Sequence, residues 1–172
     1  SITRAKLLTK SRTKESKIVA LTVNPDDIFL QDIKDYIKPD YIQLHGEESP
    51  KRCENIRNKF NIPLIKGIGI KKNIDLKKYI KTYAEICDIL ILDAPSEELP
   101  GGNGKKFDWE ILKNYKSKKK WMLAGGLNIN NISEAIDITK PPAIDISSGL
   151  ETIKGVKDPQ LIKNFVLKCR NL

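Results

Sequence analysis

The run Asp88-Ile89-Leu90-Ile91-Leu92-Asp93 is an apolar segment of strand length that ends on a carboxylate. Working outward, further short apolar, β-branched runs lie at 62–67, 40–45 and 17–23 on one side and at 121–124 and 143–147 on the other. Helical patterns separate them. Ser49-Pro50 offers an N-cap and a Pro at the first helical position ahead of Cys53, Ile56 and Phe60, and Asp158-Pro159 does the same ahead of Leu161, Ile162, Phe165, Val166 and Cys169. Asn128 or Asn130 is expected to cap the stretch carrying Ile132, Ala135 and Ile136, and Ser1 a helix through Ala5, Leu7 and Leu8. No linker or repeat divides the chain. The pattern is that of one α/β domain, residues 1–172, built from βα units.

The strand ends choose between an open sheet and a barrel. His45-Gly46, Lys66-Gly67, Asp93, Gly125-Gly126 and Ser147-Ser148-Gly149 follow five successive strands. An open doubly wound sheet serves its ligand from one or two strand ends at a switch point. Functional residue types after five strands imply ends that converge on one mouth, the geometry of a (β/α)8 barrel. Six strands are expected here, so two of the eight have no counterpart.

Composition narrows the function. The net charge is +9, but 26 of the 31 basic residues are Lys and they are spread along the chain. Aromatic residues are 6% and do not interleave with Lys118-Lys119-Lys120. Arg forks and stacking aromatics are what nucleic-acid sites use, so no nucleic-acid partner is expected. No apolar run reaches membrane-span length, and the start lacks a signal peptide's apolar segment. Cys53, Cys87 and Cys169 have no CxxC spacing, which argues against a zinc site or a disulfide framework and for a reducing cytoplasm.

The polar residues then take roles. Gly-bearing turns at Gly101-Gly102-Asn103-Gly104, Gly125-Gly126 and Ser147-Ser148-Gly149 let backbone N–H groups approach an anion, and the last two follow the final two strands, where such barrels hold phosphate. Asp93, at the rim of an apolar strand, suits a general acid. Strand alternation puts Gln43 on the face of His45 and Asp145 on the face of Ser147, two polar residues one layer below the mouth, which favours a polar ligand. A lone histidine is more often structural than catalytic, and no base role is assigned to His45. Trp109 and Trp121 read as packing residues, and Cys87, at the amino-terminal end of its strand, as inert.

Across these segments the chain resembles the phosphoribosylanthranilate isomerases of tryptophan biosynthesis. The resemblance is carried by Ile42-Gln43-Leu44-His45-Gly46-Glu47, Leu92-Asp93, Gly101 to Trp109, Leu123 to Asn128, Ile144 to Glu151, and Gly155-Val156-Lys157-Asp158, in the family's order. Asn103 stands where the family usually has Thr or Ser. The resemblance implies a (β/α)8 barrel performing an Amadori rearrangement of a phosphorylated ribosyl-anthranilate without cofactor or metal. It makes Asp93 the acid that protonates the ribose ring oxygen. It assigns phosphate binding to Gly102, Asn103, Gly104, Gly125, Gly126, Ser147 and Ser148, while the alternation at the strand ends makes Gln43, His45 and Asp145 the expected substrate contacts. The family's first strand with its Cys base, first helix, second strand and following Arg have no match here, so the 172 residues are expected to start beyond them and to leave open sheet edges. The other readings are a non-catalytic phosphate-binding fragment that self-associates as a homodimer, and a sugar-phosphate isomerase of histidine synthesis, against which the Gln43 to Gly46 and Gly102 to Trp109 segments argue.

Overall fold

Helices in this chain begin where a short polar side chain takes up N–H groups that the first turn leaves unpaired. In the computed structural model, which describes residues 1–70, 76–93, 109–113 and 115–172, Ser1 accepts from the Arg4 N–H and opens α1 (Ile2–Thr9). Asp26 accepts from the Phe29 N–H at 2.7 Å and opens α2 (Asp27–Asp32), which runs on into a π-helical turn, Ile33–Ile37. Ser49 caps α3 (Pro50–Phe60). The next helix, α4, spans Leu76–Ile86. Asp158 accepts from the Gln160 and Leu161 N–H groups at the head of α6 (Pro159–Arg170).

The start of α5 (Ile132–Thr139) differs from expectation, because the cap position is Asn131, and it makes no side-chain cap bond. Asn131 Oδ1 accepts from the Asn128 N–H, its Nδ2 donates to the Gly126 carbonyl, and Asn128 Oδ1 accepts from the Asn130 N–H. The asparagines therefore bond the turn before the helix, in the competition between local backbone bonds and capping that favours Asn in loops.

Strands β1 (Val19–Thr22), β2 (Tyr41–Leu44), β3 (Leu64–Gly69), β4 (Ile89–Asp93) and β5 (Lys120–Leu123) form one parallel sheet in chain order. Val19 pairs with Tyr41, and Ile42 with Leu64. Sequential order is that of barrel strands, whereas a doubly wound sheet reverses at its switch point. The described residues give this sheet five strands where six were expected, and no closed barrel. The run 143–147 makes a single parallel bridge, Leu123 with Ile144, flanked by Leu123 N–H to Ala143 O and Asp145 N–H to Leu123 O. Pro141 and Pro142 lead into it without N–H donors, and Ser147 leaves extended geometry at φ −127°, ψ −81°. A hairpin absent from the sequence reading follows: β6 (Glu151–Ile153) pairs antiparallel with β7 (Val156–Lys157) around Gly155.

The chain divides into two units, Ser1–Gly67 with Lys77–Leu90, and Ile68–Leu76 with Ile91–Leu172. In the first, α3 buries Cys53, Ile56 and Phe60 at helical spacing, together with Leu30, Ile33, Ile42, Leu44 and Leu64. At the end of the sheet order, β1 carries exposed Val19 and Leu21, and Val23 just past it is exposed as well. In the second unit Ile91, Leu92, Leu123, Leu127, Ile132 and Phe165 are buried. Trp109 and Trp121 are 3% and 4% exposed, as packing residues should be, and Trp121 meets Tyr115 edge-to-face at 5.3 Å. The apolar face expected for α6 is narrower than its sequence pattern: Phe165 is buried, but Ile162 and Val166 lie exposed. The helix docks along one stripe, where the Lys168 ammonium also reaches the Ile129 carbonyl at 2.8 Å.

One buried ion pair ties the strand ends of the first unit. Lys66 Nζ, from the middle of β3, donates to the Leu44 carbonyl at 3.1 Å, the Gly46 carbonyl at 2.7 Å and Glu48 Oε2 at 3.0 Å. Both side chains are closed to solvent, at 2% and 1% exposure. Glu48 Oε1 accepts from the Asn24 N–H just past β1 and from the Gly46 N–H just past β2. The Tyr83 hydroxyl donates to the Glu48 carbonyl at 2.9 Å, and burial raises its pKa well above the ordinary phenol value. Removing one partner of such a pair strands a buried charge, at a cost of about 3–5 kcal/mol. Lys66→Met should lower stability by that amount in urea unfolding. Lys66→Met with Glu48→Gln should recover part of it, because the amide oxygen still accepts the Asn24 N–H. A single variant within about 0.5 kcal/mol of the parent, the range of neutral surface changes, would show that the pair does not hold the strand ends.

Candidate active site

Asp93 closes β4 and is 8% exposed. Its backbone carbonyl accepts from the Ile70 N–H at 3.0 Å, and next to it the Leu92 carbonyl accepts from Ala124 at 2.8 Å. The carboxyl group therefore stands at the carboxyl end of its strand, one residue along from the point where β4 meets the start of the Ala124 to Asn128 turn.

That turn depends on its glycines. Gly125 and Gly126 have φ values of 92° and 63°, a region that costs an L side chain strain and glycine none. A second turn lies against it: a Cβ placed on Gly149 would overlap the Leu127 carbonyl oxygen and sit 3.0 Å from its carbon and 3.1 Å from Asn128 Cα. Only a residue without a side chain lets the backbone of the Ser148–Leu150 turn come this close. Ser147 and Ser148, at the head of that turn, are exposed and half-buried. The structure thus brings together Gly125-Gly126 and Ser147-Ser148-Gly149, which are more than 20 residues apart in sequence. Asp145, whose N–H donates to Leu123, is half-buried in the same unit.

The hairpin after this turn adds two charged groups. Lys157 Nζ donates to Ser147 Oγ at 2.9 Å and forms an ion pair with Glu151. Glu151 also accepts from the Gly155 N–H at 2.8 Å. The Lys157 ammonium and this N–H hold the Glu151 carboxyl below the usual carboxylate range.

In the first unit, Gln43 is buried and its amide nitrogen lies 3.1 Å from His45 Nδ1, so the two share a face as strand alternation requires. Behind the ring, a Cβ on Gly67 would come 2.5 Å from His45 Nδ1, so glycine at 67 makes room for the imidazole. Gly102, Asn103 and Gly104 lie outside the described residues.

None of the cysteines stands at these strand ends. Cys53 and Cys87 have no solvent exposure. The contact with Cys53 and its own burial push the Cys87 thiol above the ordinary value, which suits an inert position. Burial also raises Cys169, on α6. Among the described residues no cluster of His, Cys, Asp and Glu could hold a metal ion, and no helix is long and apolar enough to cross a membrane.

Sequence reasoning missed Glu48 and passed over Lys157. The signal for the first was a lysine set among Leu64, Ile65 and Ile68: a charge in an apolar strand needs a partner, and an acidic residue stands before the Ser49 cap. No local signal pointed from Lys157 back across ten residues to Ser147.

Comparison with known proteins places the chain in a family. The model of the N-(5'-phosphoribosyl)anthranilate isomerase family matches residues 2–168. The N-(5'-phosphoribosyl)anthranilate isomerase of Agrobacterium fabrum is 43% identical over 153 residues, covering 87% of this chain and 69% of that relative. The phosphoribosylanthranilate isomerase of Thermotoga maritima superposes with a TM-score of 0.86 at 31% identity, over all of this chain and 82% of the other. A further solved isomerase, in complex with reduced 1-(o-carboxyphenylamino)-1-deoxyribulose 5-phosphate, gives a TM-score of 0.82 at 29% identity, over all of this chain and 80% of that one. With a family match running almost end to end and a relative above 40% identity, the chain belongs to the phosphoribosylanthranilate isomerase family, the isomerases of tryptophan biosynthesis.

Proposed function

We propose that this chain catalyses the Amadori rearrangement of N-(5-phosphoribosyl)anthranilate to 1-(2-carboxyphenylamino)-1-deoxyribulose 5-phosphate, in the cytoplasm. The observation that carries the reading is the close approach at Gly149, which sets Ser147 and Ser148 beside Gly125 and Gly126, next to the strand that ends on Asp93. Two tight turns with backbone N–H groups and hydroxyls suit a phosphate monoester, whose oxygens accept several bonds at once. Gly102, Asn103 and Gly104 complete the phosphate set in this reading, and Gln43, His45 and Asp145 contact the substrate.

Asp93 acts as the general acid. It gives its proton to the ribose ring oxygen as the C1′–O bond breaks, and the anilino nitrogen lone pair forms the Schiff base. A base takes the C2′ proton to give an enolamine, which tautomerises to the ketone; the family's Cys base has no match in these 172 residues, and no residue here is assigned that role. Cys53 and Cys87 take no part in that proton removal, since both thiols are closed to solvent.

Asp93→Asn should lower kcat by about 10²–10⁴, the usual contribution of a positioned acid, while binding of the reduced product analogue changes by only a few fold. Absence of turnover by the folded parent protein, or an Asp93→Asn variant with unchanged kcat, would overturn the assignment. Gly149→Ala should weaken binding of inorganic phosphate by about tenfold or more, because the added methyl must push the Ser148 turn off the Leu127 carbonyl. Loss of one good charged hydrogen bond has that size. Unchanged phosphate affinity in this variant would separate the turn contact from the anion site.

A further inference from the structure

The segment Gly155-Val156-Lys157-Asp158 has no role in the reaction described so far, yet three of its four residues are held by specific contacts. Gly155, at φ 85°, makes the hairpin turn and gives its N–H to Glu151. Asp158 caps α6, and its own N–H returns to the Leu150 carbonyl at 2.9 Å. Lys157 pairs in register with Glu151 across the hairpin, forms the ion pair with its carboxylate, and donates to Ser147 Oγ at 2.9 Å.

We propose that Lys157, held by Glu151, is a positioning residue that turns the Ser147 hydroxyl into an oriented donor for the substrate's phosphate. The inference rests on the phosphate assignment of Ser147 made above. A serine hydroxyl has one hydrogen and can accept through its oxygen lone pairs. When an ammonium occupies the acceptor side, the hydroxyl hydrogen points away from it, and the exposure of Ser147 leaves that donor open to a ligand. Accepting from a cation also polarises the O–H bond, so its own donation strengthens, as in other hydrogen-bond chains. A bare lysine at this place would act on the anion through its charge. Here Glu151 offsets that charge, with its second oxygen tied to the hairpin backbone, so Lys157 acts through Ser147. The Glu151 side chain is 13% exposed and that of Lys157 42%. The ligand this arrangement suits is a phosphate monoester or inorganic phosphate, whose oxygens accept the hydroxyl proton.

The test is a double-mutant cycle on the full chain, with inorganic phosphate titrated by calorimetry into the parent, Ser147→Ala, Lys157→Met and the double variant. Each single change should weaken binding by about tenfold, and the double change should cost little more than either alone, because both break one chain of bonds. Lys157→Arg, which keeps a donor, should recover most of the affinity. In turnover with phosphoribosylanthranilate, Lys157→Met should raise KM with kcat nearly unchanged, a split that a loss of fold would not give, and its melting temperature reports on the hairpin. Additive effects, or parent-like phosphate binding in Lys157→Met while Ser147→Ala is impaired, would overturn the positioning role alone. Failure of the parent to bind phosphate, or an unimpaired Ser147→Ala, would overturn the phosphate assignment and the inference with it.

Discussion

The Glu48–Lys66 pair is the constraint around which the first unit is arranged. A lysine ammonium inside an apolar strand is tolerable only when its hydrogens are met, and two backbone carbonyls and a carboxylate meet them here. Because those acceptors sit at the carboxyl end of β2 and in the turn after it, satisfying the charge fixes where the chain leaves the sheet. Glu48 carries the same requirement back to Asn24, beyond β1. His45 sits between Leu44 and Gly46, both of which accept from the ammonium, so the imidazole is presented by a turn held on both sides.

In the second unit the controlling feature is an approach of backbone to backbone. Gly149 against Leu127 is a contact that no side chain could occupy, and it sets the last two turns side by side. The Asn128, Asn130 and Asn131 bonds stiffen one turn, and the Glu151–Lys157 hairpin braces the other. Anion binding through backbone N–H groups needs this rigidity, since groups that must be ordered on binding lose affinity to entropy.

Asp93 and the two turns provide a carboxyl group and a pair of tight Gly- and Ser-bearing turns within one unit. The chain belongs to the phosphoribosylanthranilate isomerase family.

Much of this was legible in the sequence by itself. Apolar runs of four to six residues place five strands, and Ser1, Ser49 and Asp158 start their helices, because capping and strand burial are local effects that neighbouring residues decide. Tertiary structure decided the rest. Whether 143–147 becomes a strand depends on a partner as well as on its own apolar residues, and it was reduced to a single bridge. The buried face of α6 was set by what it docks against, which left Ile162 and Val166 outside. The partners of Lys66 and Lys157 lie 18 and 6 residues away along the chain, and a charge's pairing is a matter of distance in space, which local sequence does not encode.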